Sequence, residues 1–184
     1  MDDDKLIRLE PHLRSFTKSH CVVFEPVPSR RIFVMVSGDD VVIVSALRTP
    51  LTRSRKGGLA SVPPSELLQT VLESTLSATG IKGEDIDDIC VGNVLMPPAG
   101  FVTLRMAAIA AGIPPTACMQ TLNRQCASGL QAVATIVNSI EKKEITIGIG
   151  AGVESMSFFP MHKMSLFENS VDWDAMNKNM EAMD

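Results

Sequence analysis

Two kinds of apolar run alternate along residues 41–151, and this alternation limits the fold more than any other feature of the chain. The first kind is short, unbroken and rich in β-branched residues. Residues 41–45, 87–95, 117–122 and 145–151 are of this kind and read as strands, the first covered on both faces and the third buried. The second kind spaces its apolar residues by three and four. Leu67, Leu68, Val71, Leu72, Thr75 and Leu76 form one such stripe, with Ser65 as cap and Gly80 as stop. Residues 103–111 form an alanine-rich helix, closed by Gly112 and then by Pro114 and Pro115. Leu130, Val133, Ala134, Val137 and Ile140 mark a third helical face. Strands alternating with helices imply a mostly parallel sheet covered by helices on both faces. Such sheets gather ligands at the carboxyl ends of their strands.

The join between the strand at 117–122 and the third helix reads Asn123-Arg124-Gln125-Cys126-Ala127-Ser128-Gly129-Leu130-Gln131-Ala132-Val133. Cys126 falls at or near the first turn of that helix. Unpaired amides and the positive end of a helix dipole favour the nucleophilic thiolate over the thiol. Ala127 and Gly129 keep bulk away, so an incoming group has close access. Taken on these residues alone, Cys126 reads either as a nucleophile or as an inert core thiol.

Composition narrows the classes. A chain of 184 residues is long enough for one domain with a real core. A net charge of −4 gives no sign of nucleic-acid binding, and the absence of tyrosine argues against recognition by stacking. Cys21, Cys90, Cys118 and Cys126 show no C-x-x-C pairing, and His12, His20 and His162 are scattered. Free thiols in a reducing compartment fit this pattern; a disulfide framework or a metal site does not. No apolar run reaches the length of a membrane span.

Several phrases in fixed order resemble the thiolase family. The Cys126 stretch resembles its nucleophile motif. Val41-Val42-Ile43-Val44-Ser45-Ala46-Leu47-Arg48-Thr49-Pro50, Gly92-Asn93-Val94, Arg105-Met106-Ala107-Ala108 with Ala111-Gly112-Ile113-Pro114, and Gly150-Ala151-Gly152-Val153-Glu154-Ser155-Met156-Ser157 match the flanking strands and turns. Gly38-Asp39-Asp40 and Asn123-Arg124-Gln125 are most similar to the peroxisomal 3-ketoacyl-CoA thiolases. The resemblance implies an α/β fold: a layered α-β-α amino-terminal half-domain with a mostly parallel mixed sheet, incomplete here. It divides the chain into an extension (1–38), the thiolase amino-terminal domain (39–157) and the start of a truncated loop domain (158–184).

The resemblance also implies a reaction. Cys126 attacks the keto carbon of a 3-ketoacyl-CoA, acetyl-CoA leaves, and coenzyme A, a co-substrate rather than a resident cofactor, carries away the shortened acyl group. The reaction belongs to fatty-acid β-oxidation. Met156 is a candidate substrate contact. The basic loop of Arg53, Arg55, Lys56, Gly57 and Gly58 reads either as a contact for coenzyme A phosphates or as a solvated loop. The family's later Asn-Glu-Ala-Phe stretch, its Gly-His-Pro histidine and its second cysteine do not occur in this sequence. The chain alone is therefore expected to be a truncated and inactive portion. The alternatives are a non-catalytic dimerisation or binding module and an acetoacetyl-CoA thiolase fragment. Residues 117–122 are the expected homodimer seam.

Lys5 and Leu6, then His12 and Leu13 after five residues, resemble the amino-terminal peroxisomal import signal read by an import receptor. Leu6, Leu9 and Leu13 fall on one helical face, although Pro11 interrupts it. A peroxisomal location is expected, with cytoplasm or mitochondrion as alternatives. Residues 19–38 read as linker, with a strand at 32–36 left open.

Overall fold

The computed structural model describes residues 21–22, 40–161, 172, 174, 175 and 178. Three strands form the central sheet: β3 (Asp88–Gly92), β4 (Cys118–Leu122) and β5 (Gly148–Gly152). Their order is β4-β3-β5 and both pairings are parallel, with Gly92 opposite Leu122 on one side and Gly152 on the other. Parallel neighbours need a helix to carry the chain back, and the helical stripes supply it. Among the described residues every strand pairing is parallel.

Helix α1 (Pro64–Thr79) begins with Pro64 at its first position, preceded by an extended Pro63. Proline is pre-set for that position because its missing N–H would have no partner there. The expected cap, Ser65, lies instead inside the first turn, and no side chain caps the helix. The far end follows expectation: Gly80 takes φ 69° and returns its N–H to the Leu76 carbonyl at 2.9 Å. Helix α2 (Phe101–Ala110) starts two residues earlier than its alanine run and buries Leu104, Ala107 and Ala108. Together α1 and α2 cover the sheet face carrying Ile89, Val91 and Ile149. Helix α3 (Ser128–Glu141) covers the other face, where Cys90 meets Ala132, Val133, Ile136 and Ile140. The expected three α-β-α layers are present.

The seating of α3 departs from its hydrophobic stripe. Leu130 is 70% exposed, while Ser128 and Ala132 turn inward. The cause lies in β5, whose Gly-Ile-Gly-Ala-Gly pattern puts three glycines on one face. A Cβ on Gly150 would lie 2.6 Å from the Val133 Cα, and one on Gly92 would lie 2.4 Å from the Ser128 carbonyl carbon. The helix backbone rests directly on the sheet backbone, which only small residues permit.

Two other expectations are corrected. Within residues 41–45 only β2 (Val42–Ile43) has strand pairing, and Ile43 is 52% exposed rather than covered on both faces. Its parallel partner is β1 (Cys21–Val22), from the segment expected to be linker. Strand β4 is an edge among the described strands, so Cys118 and Gln120 are exposed and not buried. The strand expected at 32–36 and the import-signal residues Lys5, Leu6, His12 and Leu13 lie outside the described residues.

Candidate functional site

Strand β4 ends at Leu122 and α3 begins at Ser128, leaving a five-residue turn at the carboxyl end of the sheet. Cys126 stands in that turn, exposed and with a free thiol. Ala127 is the cap of α3 and offers no side-chain bond, so Cys126 sits one residue before the cap, near the first turn as expected. Gln125, immediately before it, takes φ 50°, a left-handed conformation uncommon for a residue with a Cβ. The main chain turns sharply there and lifts Cys126 clear of the sheet.

Side chains on either side fix this turn. The Gln125 N–H donates to Asn123 Oδ1 at 2.9 Å. The buried Ser128 hydroxyl donates to the Gln125 carbonyl at 2.6 Å and accepts the Arg124 N–H at 2.8 Å. Arg124 Nη1 also donates to Gln131 Oε1 on α3. Asn123 Nδ2 reaches back to the Val94 carbonyl at 3.2 Å, tying the turn to the exit of β3.

Below the turn lies a buried junction built by Asn93 and Glu154, which no sequence motif marks as a site. Asn93 is 2% exposed. Its Nδ2 donates to the Val153 carbonyl at 2.5 Å, and its Oδ1 accepts the Met96 N–H at 2.9 Å. The Glu154 carboxylate accepts from Asn93 Nδ2 at 3.3 Å and from the Val94 N–H at 2.9 Å. The ends of β3 and β5 are thereby locked together. The available signal was an amide residue placed where a strand leaves the core, since a buried amide must find partners.

The remaining candidates fall in different places. Met156 is exposed in the turn after β5, so it leaves the same end of the sheet as Cys126. In the basic loop Arg53, Arg55 and Lys56 are exposed, and the Arg55 N–H donates to Ser157 Oγ at 2.9 Å, next to Met156. Among the described residues no group of three or more His, Cys, Asp or Glu is placed to hold a metal ion, and no helix is long and apolar enough to cross a membrane.

Cys90 contrasts with Cys126. It is fully buried under α3, and burial pushes its thiol from 9.0 up to about 11, with the Asp88 charge adding and a Thr135 hydrogen bond opposing. A raised thiol pKa means that the folded state keeps a proton the unfolded chain has released. Stability present below pH 9 is then lost as pH rises toward about 11, by up to about 2–3 kcal/mol. Urea midpoints measured across that window should fall with pH, and the slope should flatten in Cys90→Ala. The sequence contains no tyrosine to add a phenol titration there.

Comparison with known proteins places this geometry among relatives. Residues 41–183 match the family described as thiolase, N-terminal domain. The chain is 45% identical over 137 residues to the mouse peroxisomal 3-ketoacyl-CoA thiolase A, covering 74% of this chain and 32% of the mouse protein. The structure is similar to the peroxisomal 3-ketoacyl-CoA thiolase of Saccharomyces cerevisiae (TM-score 0.61, 37% identity), over 68% of this chain and 38% of the yeast chain. That protein is described as five layers, α-β-α-β-α, built from two core domains of identical topology. It is also similar to the Acat5 thiolase of Ascaris suum in complex with coenzyme A (TM-score 0.55, 28% identity), over 58% of this chain and 28% of that one. The chain spans about a third of the length of the curated relatives it matches.

Proposed function

The chain belongs to the thiolase family, and from that premise we propose that Cys126 is the nucleophile of a 3-ketoacyl-CoA thiolysis in peroxisomal fatty-acid β-oxidation. The observation that carries this reading is the exposed Cys126 thiol on a sharp turn at the carboxyl end of a parallel sheet. The Cys126 sulfur attacks the keto carbon, with the Cys126 amide as one donor to the developing oxyanion. The bond between the α carbon and the keto carbon breaks, its electron pair departs with acetyl-CoA, and that carbon takes up a proton. The acyl group remains on Cys126 as a thioester. The thiol of coenzyme A then displaces it and returns the cysteine.

The named relatives support the substrate class and the peroxisomal location, and the Ascaris complex supports coenzyme A as co-substrate. The proton steps need a partner. The described residues hold no histidine; His12, His20 and His162 lie outside them. General acid–base help is worth roughly 10²- to 10⁴-fold, so acylation is the step asked of Cys126. Repeated turnover depends on groups outside the described residues. The edge strand β4 is the proposed seam of a homodimer.

The test is covalent capture. After incubation with a 3-ketoacyl-CoA and acid quench, peptide mass spectrometry should find the acyl group on Cys126 and not on Cys118, and none in Cys126→Ala. Equal acylation of Cys118, or no acylation at all, would overturn the assignment. A second reading, a non-catalytic module that pairs through β4, is favoured by the exposed edge and by Val102, Met106 and Ile109 exposed on α2. It predicts a dimer that captures no acyl group.

A further inference from the structure

A left-handed residue bearing a Cβ persists only where its surroundings over-determine it. Gln125 meets that condition through two neighbours that the proposed chemistry does not use. Its N–H is held by Asn123 Oδ1 at 2.9 Å, and its carbonyl accepts the Ser128 hydroxyl at 2.6 Å more closely than the Ser128 N–H at 3.1 Å. The same hydroxyl accepts the Arg124 N–H, so one oxygen fixes the peptide groups on both sides of the bend. Both jaws are anchored. Ser128 is 3% exposed and its backbone lies on Gly92, while Asn123 Nδ2 holds the Val94 carbonyl.

We infer that Asn123 and Ser128 are positioning residues, a two-sided clamp that keeps Gln125 left-handed and thereby holds Cys126 against the amino end of α3. The inference rests on Cys126 being the nucleophile, but neither residue touches the reacting atoms. Asn123 contributes an acceptor that alanine lacks. Ser128 must donate and accept at once, which a hydroxyl does and a methyl does not. Without the clamp, Gln125 relaxes to a right-handed or extended backbone and swings Cys126 away from the amino end of α3.

Alkylation of the 184-residue chain by iodoacetamide, followed peptide by peptide, tests this with Cys118 as reference inside the same molecule. Asn123→Ala and Ser128→Ala should each slow Cys126 about three- to tenfold relative to Cys118, because the left-handed conformer becomes the minor one. Adding Gln125→Gly to either variant should restore the rate to within about twofold, since glycine adopts positive φ without the clamp. That rescue separates aiming from general loosening, which a glycine would worsen. Unchanged rates in the alanine variants, or no rescue by glycine, would overturn the proposal. If Ser128→Ala does not fold, the exposed Asn123 decides the outcome through the same pair of variants. Labelling needs no turnover, so the clamp can fail while acyl capture succeeds, and the reverse.

Discussion

Gly92→Val is expected to be among the most damaging single substitutions in the described part of the chain, costing about 3 kcal/mol or more. The atoms a Cβ would meet are backbone: the Ser128 carbonyl carbon at 2.4 Å, its oxygen at 2.5 Å and the Gly129 nitrogen at 2.6 Å. No rotamer change relieves such a contact. Either α3 lifts from the sheet or β3 bends, and both movements open the layer that holds Cys90, Val133 and Ile136. Denaturation in urea should show the lowered midpoint. Cys126 alkylation should slow as well, because the start of α3 carries the Cys126 turn. Gly129→Ala, one residue into the helix, is the contrasting case. Nothing lies within 4 Å of its Cβ, so a change within about 0.5 kcal/mol is expected.

Asn93→Leu should cost about 3–5 kcal/mol, by a different route. Leucine has the same branched heavy-atom skeleton with bulkier ends, so no cavity opens. What is lost is the partner of the Val153 carbonyl and of the Met96 N–H, both held by Asn93 at the buried end of the sheet. Each abandoned buried group costs about 1–3 kcal/mol, because desolvation remains without its compensation. Asn93→Asp separates the two contacts. Its Oδ1 still accepts from Met96, while the second oxygen faces the Val153 carbonyl and the Glu154 carboxylate with no donor between them. A midpoint for Asn93→Asp equal to that of the unsubstituted chain would show that the Val153 contact is dispensable.

The fold was legible wherever one local rule governed the chain. The α1 stripe ended at Gly80 as a left-handed stop should; β3 and β4 stood inside the runs that proposed them, and β5 began three residues late and ran one residue past its own. The layering followed from alternation alone. Legibility failed where backbone contact outweighed side-chain hydrophobicity. Leu130 reads as core by apolar spacing, yet the glycine face of β5 draws in the side of α3 that carries Ser128, Ala132, Val133 and Ile136 and leaves Leu130 in solvent. It failed again at β2, where a β-branched run promised a fully covered strand and the pairing extends over two residues. At the site, the position of Cys126 could be read because it sits at a strand-to-helix join. The left-handed Gln125, the hydroxyl of Ser128 and the buried Asn93 could not, because their roles depend on partners brought together by the fold.

The bare contact between β5 and α3 has a consequence for how such a turn tolerates change. Side-chain packing is forgiving: a lost methylene in one place is absorbed by repacking in another. Where main chain rests on main chain, little can be absorbed, and the spacing is inherited from peptide geometry. The outward side of α3, with Leu130 and Asn138, is correspondingly free to vary without altering the aim of the thiol. A new covering layer could be fitted there while the bearing beneath the turn stays the same.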